Sequence, residues 1–141
     1  MWSGVQTPVI RPNEASRLPF DAPNRVLAWG EFDLPRGFGI APLVEVRDGF
    51  PLSIFDENHD FIGGRNRAGR FPTFFSLDLQ AWKRIVIPWP RRLSARVGLK
   101  VFNITNHFNP RDFQGNTASL RFGEFSNGVS RTFRGKFVID F

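Results

Sequence analysis

The residues that could do chemistry begin with Asp56-Glu57-Asn58-His59-Asp60. Oxygens in such a run suit a hard cation, but the spacing matches no EF-hand loop, so it reads as a solvated loop tip. His59 and His107 are the only histidines, and neither stands at a metal-ligand spacing. Gly63-Gly64 followed by Arg65, Arg67 and Arg70 has the makings of an anion cradle. With no strand-to-helix context around it, the stretch reads as an exposed loop. Arg92, Arg96, Lys100, Arg134 and Lys136 recur at even spacing, with Asp78 upstream, and would steer an anionic solute if strands gathered them on one face. No Ser/His/Asp set or carboxylate pair stands out, and the chain has no cysteine to serve as nucleophile or thiolate ligand. The expectation is a protein that is not an enzyme, with no catalytic, cofactor or metal site.

The elements that must position these residues alternate with period two, the mark of a strand with one oily and one wet face. In Thr132–Phe141 the apolar or small positions are Phe133, Gly135, Phe137, Ile139 and Phe141. Arg92–Ile104 is the cleanest case, with Leu93, Ala95, Val97, Leu99 and Val101 against Arg92, Ser94, Arg96, Gly98 and Lys100. Thr73–Ile85 sets Phe75, Leu77, Leu79 and Ala81 against Ser76, Asp78 and Gln80. Phe38–Arg47 and Arg25–Leu34 complete the series, and Pro42 within the former implies an edge or a local distortion. Phe50–Phe55 reads as a continuation of the Phe38–Arg47 strand beyond a bulge. Four prolines (Pro8, Pro12, Pro19 and Pro23) make residues 1–24 a loop segment.

Connections alternate in length: short at 35–37 and 88–91, long at 48–72 and 105–130, the latter with room for a short hairpin. Outer-membrane barrels have this asymmetry, with short periplasmic turns and long extracellular loops. Each strand is long enough to cross a bilayer at a tilt, which takes about 9–11 residues. The chain ends on the apolar Phe141, as a strand bathed in lipid can. No apolar run reaches the roughly 18 residues of a transmembrane helix. A formal net charge of +6 points to nucleic acid or an anionic surface, and of the 19 basic residues only Lys83, Lys100 and Lys136 are lysine.

Two other architectures give the same alternation: a β-sandwich and a small soluble barrel, each with the oily face inside. A soluble basic β-domain binding nucleic acid, its phenylalanines stacking bases, is the alternative function, and a carbohydrate or adhesion module is another. Against nucleic acid, the basic residues share strands with Asp and Glu and form no contiguous run. Trp2, Trp29, Trp82 and Trp89 fit either an interface girdle or plain core packing.

Several segments resemble the C-terminal part of TonB-dependent outer-membrane receptors, especially the group with a carboxypeptidase-regulatory-like domain. These are Ser76-Leu77-Asp78-Leu79-Gln80, Val101-Phe102-Asn103-Ile104-Thr105-Asn106-His107-Phe108-Asn109-Pro110, Phe122-Gly123-Glu124-Phe125 and Arg134–Phe141, in the family's order and spacing. Pro8–Asn13 and Val46–Pro51 are similar to upstream segments. The resemblance implies a cell outer-membrane location and a parent function of energised uptake of a large solute such as a siderophore or glycan. It implies outer-membrane lipid, the barrel-assembly machinery and the rest of the receptor barrel as partners, and no nucleic acid.

It also makes Phe137, Ile139 and Phe141 the barrel-assembly signal, and Arg92, Arg96, Lys100, Arg134, Lys136 and Asp78 lumen-facing. No plug domain or TonB-contacting segment is visible. About five strands fall short of the eight or so that close the smallest usual barrels. The expectation is therefore an all-β chain: residues 25–141 an incomplete, open barrel wall of five to six long antiparallel strands, the C-terminal fragment of a receptor.

Overall fold

The computed structural model describes residues 16–88 and 93–140. The fold is all-β and antiparallel. Its elements are β1 (Arg25–Trp29), β2 (Phe32–Leu34), β3 (Phe38–Arg47), β4 (Pro51–Leu52), β5 (Ile54–Phe55), β6 (Phe61–Ile62), β7 (Gly69–Arg70), β8 (Phe74–Ile87), β9 (Leu93–Phe102), β10 (Asp112–Phe113), β11 (Phe125–Ser126) and β12 (Thr132–Asp140). The main sheet runs β1-β3-β8-β9-β12, with β2 also on β3. Among the described residues the sheet is open, with β1/β2 and β12 as its edges.

β1 and β2 are one stave in a single register, from Arg25↔Arg47 to Leu34↔Phe38. The break between them lies opposite Pro42. Gly30 donates its N–H to the Pro42 carbonyl at 3.3 Å, but Pro42 has no N–H to return. The expected distortion is thus real, and Pro42 is on an inner strand rather than an edge.

Registers sort the side chains into two faces. Val26, Phe32, Ile40, Val44, Leu77, Leu79, Val97, Leu99, Phe133 and Phe137 fall on one. This face is apolar except for Lys83, whose Nζ donates to the Arg36 carbonyl at 2.8 Å and sits 3.8 Å from the Phe38 ring centroid. That single cation is thereby drawn to the turn at Pro35–Gly37, where Arg36 and Gly37 have φ of 63° and 75°. Little covers the apolar face. Phe133 and Phe137 are 62% and 64% exposed, and among the described side chains only the small Ala95 is buried there.

At the other end the two long connections fold into compact ribbons, β4 with β7, β5 with β6 and β10 with β11. The expectation that Phe50–Phe55 extends β3 is not met, because Pro51 pairs with Arg70 and Ile54 with Ile62 instead. Gly49 brings two backbones together. A Cβ there would lie 1.7 Å from the Phe71 carbonyl oxygen, so only glycine fits. The hairpin in the last connection does form, as β10 and β11. Of the N-terminal segment, residues 16–24 carry no strand, and residues 1–15 lie outside the described residues.

Candidate functional site

The polar face gathers the basic residues singled out by spacing. Its strands place Trp82 opposite Gly98, Gln80 opposite Lys100 and Arg84 opposite Arg96. β12 adds Arg134 opposite Lys100, and Lys136 opposite Gly98. Arg96, Lys100, Arg134, Lys136 and Asp78 therefore do share one side of the sheet. Arg92 and Phe141 lie outside the described residues, while Phe137 and Ile139 are on the opposite, apolar face.

Two glycines shape the middle of this patch. Trp82 is buried and lies against Gly39, where a Cβ would come within 2.3 Å of the indole. A Cβ on Gly98 would lie 3.1 Å from the Ala81 carbonyl oxygen, so bare backbone floors the surface there. The depression beside it, about 340 Å³ in volume, is lined by Gln80, Gly98, Lys100, Arg134 and Lys136 among others. Of the two readings of Trp82, core packing is the one realised. An interface girdle needs the indole on the apolar face, and it lies on the polar one. Trp29 shares that polar side, and Trp2 and Trp89 are outside the described residues.

The cations differ in what holds them. Lys100 Nζ and the Arg134 guanidinium approach the Phe102 ring, at 4.5 and 5.0 Å from its centroid. Arg96 Nε is buried with no hydrogen-bond partner among the described residues. None of Arg84, Arg96, Lys100, Arg134 and Lys136 is in an ion pair among the described residues; the recorded pairs are Arg25–Glu45, Arg47–Glu45, Arg70–Asp21 and Arg121–Glu124. Asp78 is committed elsewhere, its Oδ1 accepting from Ser76 Oγ at 2.8 Å and from the Asn103 N–H at 2.9 Å.

Spacing alone missed Arg84, which follows Lys83 directly and looks like the end of a strand rather than a face. It also missed the work of three asparagines three residues apart. Asn103 has φ of 50° and is 4% exposed. Its Nδ2 donates to the carbonyls of His107 and Val129, both at 2.9 Å, and its Oδ1 accepts the His107 N–H at 3.0 Å. Asn106 Oδ1 accepts the Arg131 N–H at 2.9 Å. Asn109 acts as a substitute peptide group, accepting from Phe75 N–H at 3.0 Å and donating to Phe75 C=O at 2.7 Å. The left-handed conformations of Asn103 and Asn106 are ones asparagine tolerates, which is the available signal.

The loop constellations resolve into structure. Asp56 Oδ1 accepts the backbone N–H of Asn58 and of Asp60, both at 2.9 Å, closing the β5–β6 tip, and His59 stacks on Phe55. Arg70 bonds Asp21 and the Gly49 carbonyl. Asn66 bonds Ser53 and the Arg17 carbonyl. These contacts tie residues 17–21 to the loop between β3 and β8.

Apart from Lys83, the sheet's cations and its exposed phenylalanines are on opposite faces, and Phe102 on the polar face is already covered by Lys100 and Arg134. No family model, no curated protein and no solved structure matches the chain.

Proposed function

We propose that the chain is a wall segment of an outer-membrane β-barrel, of the kind found in the C-terminal part of TonB-dependent receptors, which it resembles. The reading rests on the apolar face. Across staves of 14 residues in β8, 10 in β3 and β9 and 9 in β12, it carries one charge, Lys83, held at the turn. Crossing a bilayer at a tilt takes about 9–11 residues per strand. In water an uncovered face of this extent between two open edges drives association; hydrocarbon solvates it at no such cost. The five staves among the described residues do not close a barrel, so on this reading further strands complete the wall. The parent activity is uptake of a large solute, with the long loops outside and the short turns at the periplasmic end.

The test is co-flotation. Chain refolded into phosphatidylcholine vesicles is expected to float with the lipid after an alkaline wash, and to aggregate when detergent and lipid are both removed. A lipid-free, monomeric chain with cooperative unfolding would rule the reading out.

A further inference from the structure

We infer that the polar face of β8, β9 and β12 is a docking surface for an extended acidic polypeptide segment. The inference stands on the patch itself and does not require the sheet to be in a membrane. Two like-charged pairs lie directly across strands, Arg84 with Arg96 and Lys100 with Arg134. Such pairs destabilise a sheet. The described side chains of these strands supply little to offset them, since Asp78 is engaged by Ser76 and Asn103. Arg96 Nε is itself buried without a partner, so its charge is not offset from within the described sheet.

Spacing selects the occupant. Arg134 and Lys136 are two residues apart on one strand, about 7 Å, and Arg96 and Lys100 are four apart, about 13 Å. An extended peptide with an acid at every second position repeats at the same intervals. One inorganic anion spans neither. Arginine also suits carboxylates, since its planar fork meets both oxygens. The Gly98 floor, without a side chain, leaves room for a backbone to lie between the cations.

The experiment uses the full chain folded in nonionic detergent, with sheet content checked by circular dichroism. A fluorescein-labelled peptide of alternating Glu and Ala is titrated against it by anisotropy. Saturable binding is expected, lost in 0.5 M salt and absent for the Gln/Ala analogue. The double variant Lys100→Gln with Arg134→Gln is expected to bind at least about tenfold more weakly, the loss of one or two charge-assisted contacts. Arg121→Gln, on a loop away from the patch, is expected to match the parent chain within about twofold. Because Arg134 is exposed, the single variant Arg134→Gln keeps the test alive if the double variant does not fold. No saturable binding by the folded parent chain overturns the proposal, as does equal binding by the patch variants. Full displacement by millimolar inorganic phosphate would reassign the patch to a small anion, and tighter binding of single-stranded oligodeoxythymidine would reassign it to nucleic acid.

Discussion

The sheet and the loop end solve burial in opposite ways. At the loop end the buried side chains are largely polar: Asn66, Asn103 and Asn109 are 7%, 4% and 6% exposed, and each is hydrogen-bonded to backbone or side chain. Phe71, Phe113 and Phe125 form an aromatic cluster with centroids 5.1 to 6.4 Å apart, joining the two long connections. The loops also share backbone bonds, Phe55 N–H to Gly115 C=O at 2.9 Å and Thr117 N–H to Phe55 C=O at 3.0 Å. That end satisfies these buried polar groups from within the chain. The sheet differs. Its backbone is paired across five staves, yet its apolar side chains meet almost nothing from the chain. On the proposed reading, hydrocarbon would cover the one face and an acidic segment the other.

The contrast can be broken first at Asn103. Asn103→Ala leaves the His107 and Val129 carbonyls and the His107 N–H unpaired and places alanine at a positive φ. A loss of about 3–5 kcal/mol is expected in urea unfolding of the vesicle-bound chain. Asn103→Asp is expected to lose less, since it keeps the acceptor and the turn preference.

Leu99→Arg, in the middle of the apolar face, is expected to cost about 2–4 kcal/mol in vesicles, the penalty for a cation near the bilayer midplane. Gln80→Arg, on the other face and opposite Lys100, is expected to cost no more than about 1 kcal/mol, the repulsion of that cross-strand pair. If the two substitutions cost the same, the faces are not in different solvents. Gly39→Ala forces the Trp82 indole to move, with about 1–3 kcal/mol lost and a red shift of the tryptophan emission. Arg121→Ala removes an exposed loop pair with Glu124 and is expected to change stability by less than about 0.5 kcal/mol.

Much of the sheet was legible in the sequence because period two reports directly on strands. Phe38–Arg47 has the bounds that alternation gives it, and Leu93, Val97 and Leu99 mark β9 without ambiguity. The end of β8 was less clear, since Lys83-Arg84 interrupts the pattern where the strand continues to Ile87. The ribbons of the long connections left no periodic trace, because two-residue pairings such as Pro51–Leu52 with Gly69–Arg70 are too short to show one. Asn103, Asn106 and Asn109 were visible as a motif but not as a mechanism. Three of their partners, Phe75, Val129 and Arg131, are more than twenty residues away in sequence and meet them only once the strands are in register. The basic patch was half legible: alternation put Arg96, Lys100, Arg134 and Lys136 on wet faces, but only pairing reveals that like charges are set opposite one another.

The claim that two solvents meet across this sheet has a direct measurement, helped by the absence of native cysteine. Single cysteines are placed in turn along residues 94–101 of β9, spin-labelled, and the chain reconstituted in phosphatidylcholine vesicles. Accessibility to lipid-soluble oxygen and to a water-soluble nickel chelate is then compared position by position. The expected result is a strict alternation, with oxygen favoured at 95, 97, 99 and 101 and nickel at 94, 96, 98 and 100. Uniform access to nickel at every position, with no period of two, would contradict it.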